Sequence, residues 1–147
     1  MNRTEEIELL EQLEQWNSKD EYSQCIQAIE AIPEQERGYL LTVKLSRAYS
    51  NLAVLGDHGV HGTDGEVDGD LIRHAIDLLE SVRTQGENDP YWNSRMGYSC
   101  LMAYRSAATA YEYAKSGSGL RGISGGGKSS GAGFKRAGGN HPKGNSR

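Results

Sequence analysis

No apolar run in the 147 residues extends beyond a few positions. The chain therefore has nothing near the roughly 18 consecutive apolar residues that a membrane-spanning helix needs. The N-terminus, MNRTEEIELLEQ, is acidic and has no apolar h-region, which excludes a secretory signal peptide and points to the cytoplasm. No segment alternates apolar and polar residues with the period of two that marks a strand. Cysteine occurs twice, as Cys25 and Cys100, each inside a helical apolar pattern. These read as small buried hydrophobes in a reducing compartment, with a disulfide or a catalytic thiol as the alternative. No Asp or Glu occurs after residue 116.

That last absence divides the chain. Residues 1–116 hold all twenty acids against ten Lys or Arg, a formal −10. Residues 117–147 hold Arg121, Lys128, Lys135, Arg136, Lys143 and Arg147, a formal +6. A length of 147 residues supports one domain, and the composition places it at 1–116, followed by a disordered, Gly/Ser/Lys/Arg-rich tail at 117–147.

What the first segment does contain is helical periodicity. Ile7, Leu10, Leu13 and Trp16 recur at steps of three, with Thr4 as the expected N-cap and early glutamates favouring the helix start. Tyr22, Cys25, Ile26, Ile29 and Ile32 form a second stripe that Pro33 stops. Leu40, Leu41, Leu45, Ala48, Tyr49 and Leu52 form a third. The stretch GDHGVHGTDGEVDGD (56–70) reads as a non-helical loop. Leu71, Ile72, Ala75, Ile76, Leu79 and Val82 give a fourth helix, and TQGENDP separates it from Trp92, Met96, Leu101 and an alanine-rich continuation. The expectation is an all-α fold of five or six short antiparallel helices.

The helices also repeat. Ser46 and Tyr49 in LSRAYSNLA line up with Gly97 and Cys100 in MGYSCLMA. Their offset is one helix-pair repeat of ~34 residues plus a swollen linker. Tyr22, Cys25, Ile29 and Ile32, and then Ala75, Leu79 and Val82, occupy the packing rows of the second helices, and NDPYWNSRMGY supplies an acidic-Pro lead-in to a third unit. On these residues, over about 4–116, the chain resembles the tetratricopeptide repeat (TPR) family, in particular its bacterial members. Thr42 and Asn93 stand where the family prefers Trp, and Ser46 where it prefers Gly. The resemblance implies an α-solenoid of about three helix-turn-helix units.

Three patterns invite a catalytic or metal reading. Gly122, Gly127, Lys128 and Ser129 spell G-x-x-x-x-G-K-[ST], but a phosphate-binding loop needs a strand before it and a helix after it. An alanine-rich helix and then SGSGLR come first, and SGAGFKRAGG comes after, so no nucleotide site is expected. Asp64, Glu66, Asp68 and Gly69 imitate the start of a calcium loop, yet the twelfth position is Ala75 rather than a bidentate Glu. His58 and His61 with Asp57 offer too few ligands for a firm metal site. The glutamates at 5, 6, 8, 11 and 14 spread around a helix as a solvated face does, and His74 borders an apolar stripe. No enzymatic activity, cofactor or metal is expected.

In TPR packing, the residue after the small one, and those four or five after it, face the concave groove. The resemblance thus implies a partner-binding groove of Arg47, Ser50 and Asn51 with Tyr98, Leu101 and Met102, and Val43 and Ser94 one turn earlier. Arg47 and Asn51, spaced i, i+4, suit a carboxylate, and Tyr98 and Met102 suit apolar contact, the alternative being that both pack on a neighbouring helix. The expected function is a non-enzymatic scaffold that binds a protein or peptide with an acidic group. The alternative is nucleic-acid association through the basic tail, where Phe134 could stack. A tail produced by a frame shift is a third possibility.

Overall fold

The computed structural model describes residues 1–62 and 66–115. Among them every regular element is helical: α1 (Arg3–Ser18), α2 (Tyr22–Glu30), α3 (Gly38–Leu55), α4 (Gly69–Ser81), the single turn α5 (Arg83–Gly86) and α6 (Pro90–Lys115). Short 3-10 turns occupy Glu34–Glu36 and Asp57–Gly62. None of these helices is long and apolar enough to cross a membrane. The chain divides into two compact units, Met1–Ala107 and Ala108–Arg147. Of the second, the end of α6 is described, where Tyr111 and Tyr113 are exposed and the Lys115 ammonium lies 5.3 Å from the Tyr111 ring centre. The Gly122–Ser129 pattern and the tail assigned to 117–147 lie outside the described residues, as does Asp64.

Helices α1, α4 and α6 begin where a nearby side chain takes up free amides. Asn2, rather than the expected Thr4, caps α1: its side-chain oxygen accepts from the Glu5 N–H at 2.8 Å. The apolar stripe of α1 is narrower than its spacing implies, for Leu13 is buried while Ile7 is exposed. Two residues past the end of α1, Asp20 has a φ of 58°, in the left-handed region. Asp68 caps α4, accepting from the amides of Asp70 and Leu71 at 3.1 and 3.2 Å. One of the three acidic residues of the calcium-like pattern, Asp68, is thus committed to a helix start. Asp89 does the same for α6, accepting from the Tyr91 amide at 3.0 Å, with Pro90 at the first helical position.

The 56–70 stretch is less irregular than its glycines imply. Gly56, with φ of 70°, closes α3, and a 3-10 turn follows in which His58 and Gly59 are left-handed. This turn is tied to the α1–α2 corner. The Asp57 carboxylate accepts from the Ser23 amide at 3.0 Å, and the His58 amide donates to the Asp20 carbonyl at 2.8 Å. Glu21, at the local cap position of α2, makes no side-chain cap bond. A residue 34 positions downstream caps α2 instead.

Helix α3 is the centre of the unit and packs against both α2 and α4. Leu41, Leu45 and Ala48 join Leu13, Cys25 and Ile29 in one cluster; Val43 joins Leu79 and Trp92 in a second; Ala53 joins Ile72 and Met102 in a third. Ser46 lies where α4 approaches closely, fully buried, and its hydroxyl donates to the Ala75 carbonyl at 2.8 Å. The hydroxyl is satisfied by the backbone it meets.

Candidate functional site

Three helices of the first unit bring polar side chains together away from these clusters. Helix α1 contributes Glu14 and Asn17, three apart; α3 contributes Lys44, Arg47 and Asn51; α6 contributes Tyr91, Arg95 and Tyr98. Each set follows the three- and four-residue spacing that puts side chains on one helix face.

Glu14 stands between two cations of α3. Its Oε2 lies 2.8 Å from Lys44 Nζ and 3.0 Å from Arg47 Nη2, while Oε1 accepts from Arg47 Nη1 at 3.3 Å. The Arg47 side chain is only 11% exposed and that of Lys44 18%, whereas Glu14 is 52% exposed. The carboxylate caps the two cations from the solvent side. Burial opposes its charge, but the hydrogen bonds from Lys44 and Arg47 prevail and hold Glu14 below the usual carboxylate range. Burial likewise disfavours the charge on Arg47. Glu14 and the Tyr91 hydroxyl outweigh it, so this guanidinium holds its proton more tightly than usual.

Arg95 is different. Its Nη2 donates to Ser50 Oγ at 2.6 Å and to Asn51 Oδ1 at 3.2 Å, and its guanidinium carbon lies 4.8 Å from the centre of the Tyr98 ring. It has no ion-pair partner among the described residues, and burial dominates, lowering its hold on its proton. The buried Nε atoms of Arg95 and of Arg47 both lack a hydrogen-bond acceptor. Asn51 links the two halves of the cluster: its amide nitrogen donates to Asn17 Oδ1 at 3.1 Å while its oxygen receives Arg95. Tyr91 lies beside the same cations, with Lys44 Nζ 5.2 Å from its ring centre.

Three cations thus meet one carboxylate. Withdrawing a charged group from water costs several kcal/mol per ion. For Arg95, two hydrogen bonds to neutral oxygens and one cation–π contact, each worth about 0.5–2 kcal/mol, offset only part of that. Arginine stays charged in proteins, and no carboxylate of the described residues pairs with Arg95.

Of the expected groove residues, Arg47, Ser50, Asn51 and Tyr98 gather in this cluster. Val43 is fully buried against Leu79 and Trp92, and Met102 packs with Ala53 and Ile72, so both serve the core. Ser50 is buried as well, and acts through Arg95. Ser94 and Leu101 are exposed on α6, with no hydrogen bond to the cluster. Sequence reasoning missed Glu14, Lys44, Tyr91 and Arg95. A signal for two of them existed, because the offset that pairs Ser46 with Gly97 also sets Lys44 against Arg95, cation on cation. In comparisons with family models, with curated proteins and with solved structures, the chain matches none.

Proposed function

We propose that this protein is a non-enzymatic, TPR-like scaffold that binds a protein or peptide partner through an acidic group, at the face formed by α1, α3 and α6. The observation that carries the reading is the half-buried pair Arg47 and Arg95, with Glu14 as the one carboxylate among the described residues that meets the cation cluster. In a segment of formal charge −10, concentrating Lys44, Arg47 and Arg95 in one place singles out a spot where an anion is attracted rather than repelled. The helix order supports the solenoid part of the reading: α1 with α2, then α3 with α4, then α6 opening a third pair, with α3 packed between its neighbours. Two free cysteines are in keeping with a reducing cytoplasm.

A random-peptide library panned against the full chain tests this. The selected sequences should be rich in Asp and Glu, and Arg95→Ala should weaken their binding about ten- to a hundredfold, the effect of losing one charge-assisted contact. Selection of sequences without acids, or equal binding to the Arg47→Ala and Arg95→Ala proteins, would overturn the reading. So would tighter, steeply salt-dependent binding of single-stranded DNA, which is the mark of phosphate contacts.

A further inference from the structure

We propose that Glu14 is a resident stand-in for the partner's acidic group: binding displaces its carboxylate from Arg47, and Arg95 provides the opening for the exchange. The inference rests on the acidic-partner reading above and adds a regulatory contact within the same site.

The two arginines are in contrasting states. Arg47 is gripped by both oxygens of Glu14, at 3.0 and 3.3 Å. Arg95 is held on Nη2 by a hydroxyl and an amide oxygen, with no carboxylate on it among the described residues. An incoming carboxylate can therefore pair with Arg95 without displacing any anion. Reaching Arg47 as well requires Glu14 to leave. Its exposure makes this easy: at 52% exposed, the Glu14 side chain can swing into water, where a carboxylate is well solvated. The cations it leaves are the less mobile partners, with Lys44 and Arg47 tucked at 18% and 11% exposure. With its carboxylate half in water, the ion pair is partly screened, so the resident contact is weak enough to be exchanged. It is still strong enough to compete, because an intramolecular carboxylate acts at a high effective concentration.

The contact has two consequences. In the empty protein, Glu14 keeps the cluster from holding three uncompensated cations. In the presence of ligand, it sets a threshold, since a weak single anion meets an occupied Arg47 and a ligand with two or more carboxylates is favoured.

The test is a titration of the full-length protein with a fluorescein-labelled, N-acetylated decaglutamate, read by anisotropy at one fixed ionic strength, for wild type, Glu14→Gln, Glu14→Ala and Glu11→Gln. Glu11→Gln removes the same charge from the same helix at an exposed position, and so reports the long-range effect alone. Removing the competitor should tighten peptide binding about three- to tenfold in both Glu14 variants, and less than about twofold in Glu11→Gln. Binding to Glu14→Gln and not to wild type would equally support displacement. If wild type binds and the Glu14 variants bind no more tightly than Glu11→Gln, Glu14 does not compete, and the displacement is refuted while the acidic-partner reading survives. If no form binds the peptide, both fall.

Discussion

Gly86 lies directly against the indole of Trp92. A β-carbon at Gly86 would stand 2.3 Å from two ring atoms, far inside any tolerable contact. The indole cannot easily retreat, since Nε1 donates to the Leu79 carbonyl at 2.9 Å and the Arg83 guanidinium stands 5.2 Å from the ring. Trp92 in turn packs with Val43 and Leu79, joining α3, α4 and α6. Close contact between the α5 turn and this ring is therefore one of the contacts that seat α6, beside those of Met102 and Arg95.

Gly86→Ala should accordingly destabilise the fold by about 1–3 kcal/mol, the range for overpacking a filled site. At that size the melting temperature falls by more than ~5 °C. Thermal denaturation followed by circular dichroism and by tryptophan fluorescence checks it. A melt indistinguishable from that of wild type would mean that the indole moves at no cost.

Acid should weaken the fold through two carboxylates. Burial raises the proton affinity of Asp57, but hydrogen bonds from the Ser23 hydroxyl and from the Ser23 and Tyr22 amides outweigh it and lower its pKa from the ordinary 3.8. Glu14 is lowered from 4.5 by Lys44 and Arg47 against its own burial. A depressed carboxylate stabilises the folded state fully above its unfolded pKa, and the contribution disappears as pH falls through the folded value. Stability measured by urea melts should therefore hold near neutral pH and drop below about pH 4. Asp57→Asn should cost about 1 kcal/mol at pH 7, as other cap losses do, and show a shallower acid decline. An acid decline as steep as that of wild type would count against Asp57.

The two thiols should differ sharply in reactivity. Cys100 is exposed on α6, whereas Cys25 is 2% exposed, with its sulfur 3.6 Å from the Leu13 carbonyl and its pKa pushed up to about 11 by burial. Reaction needs the thiolate, so a thiol reagent at neutral pH should modify Cys100 promptly and Cys25 only on unfolding. Mass spectrometry of the native protein after brief labelling tests this, and equal labelling of both would show that α2 opens readily.

The sequence by itself determined the helices, because what builds a helix is local. Apolar positions three and four apart, Pro33 after α2, Gly56 after α3 and Asp89-Pro90 before α6 all act within a turn or two, so their spacing is legible. It also marked Ser46 as a packing position and Arg47 with Asn51 as polar positions on one face. Where local signals were nearly equal it failed: Asn2 and Thr4 both suit a cap, and the chain uses Asn2. What the tertiary structure decided were pairings between residues far apart in the chain. Asp57 caps a helix 34 positions earlier, Glu14 reaches Lys44 and Arg47 across 30 or more residues, and Arg95 meets Ser50 and Asn51 from another helix. No spacing rule encodes these contacts, because they depend on how far apart and at what rotation the helices come to rest. The same packing sends Val43 and Met102 inward and leaves Arg95 without a counter-ion among the described residues, and charge balance at a site is a property of the assembled neighbours rather than of any one segment.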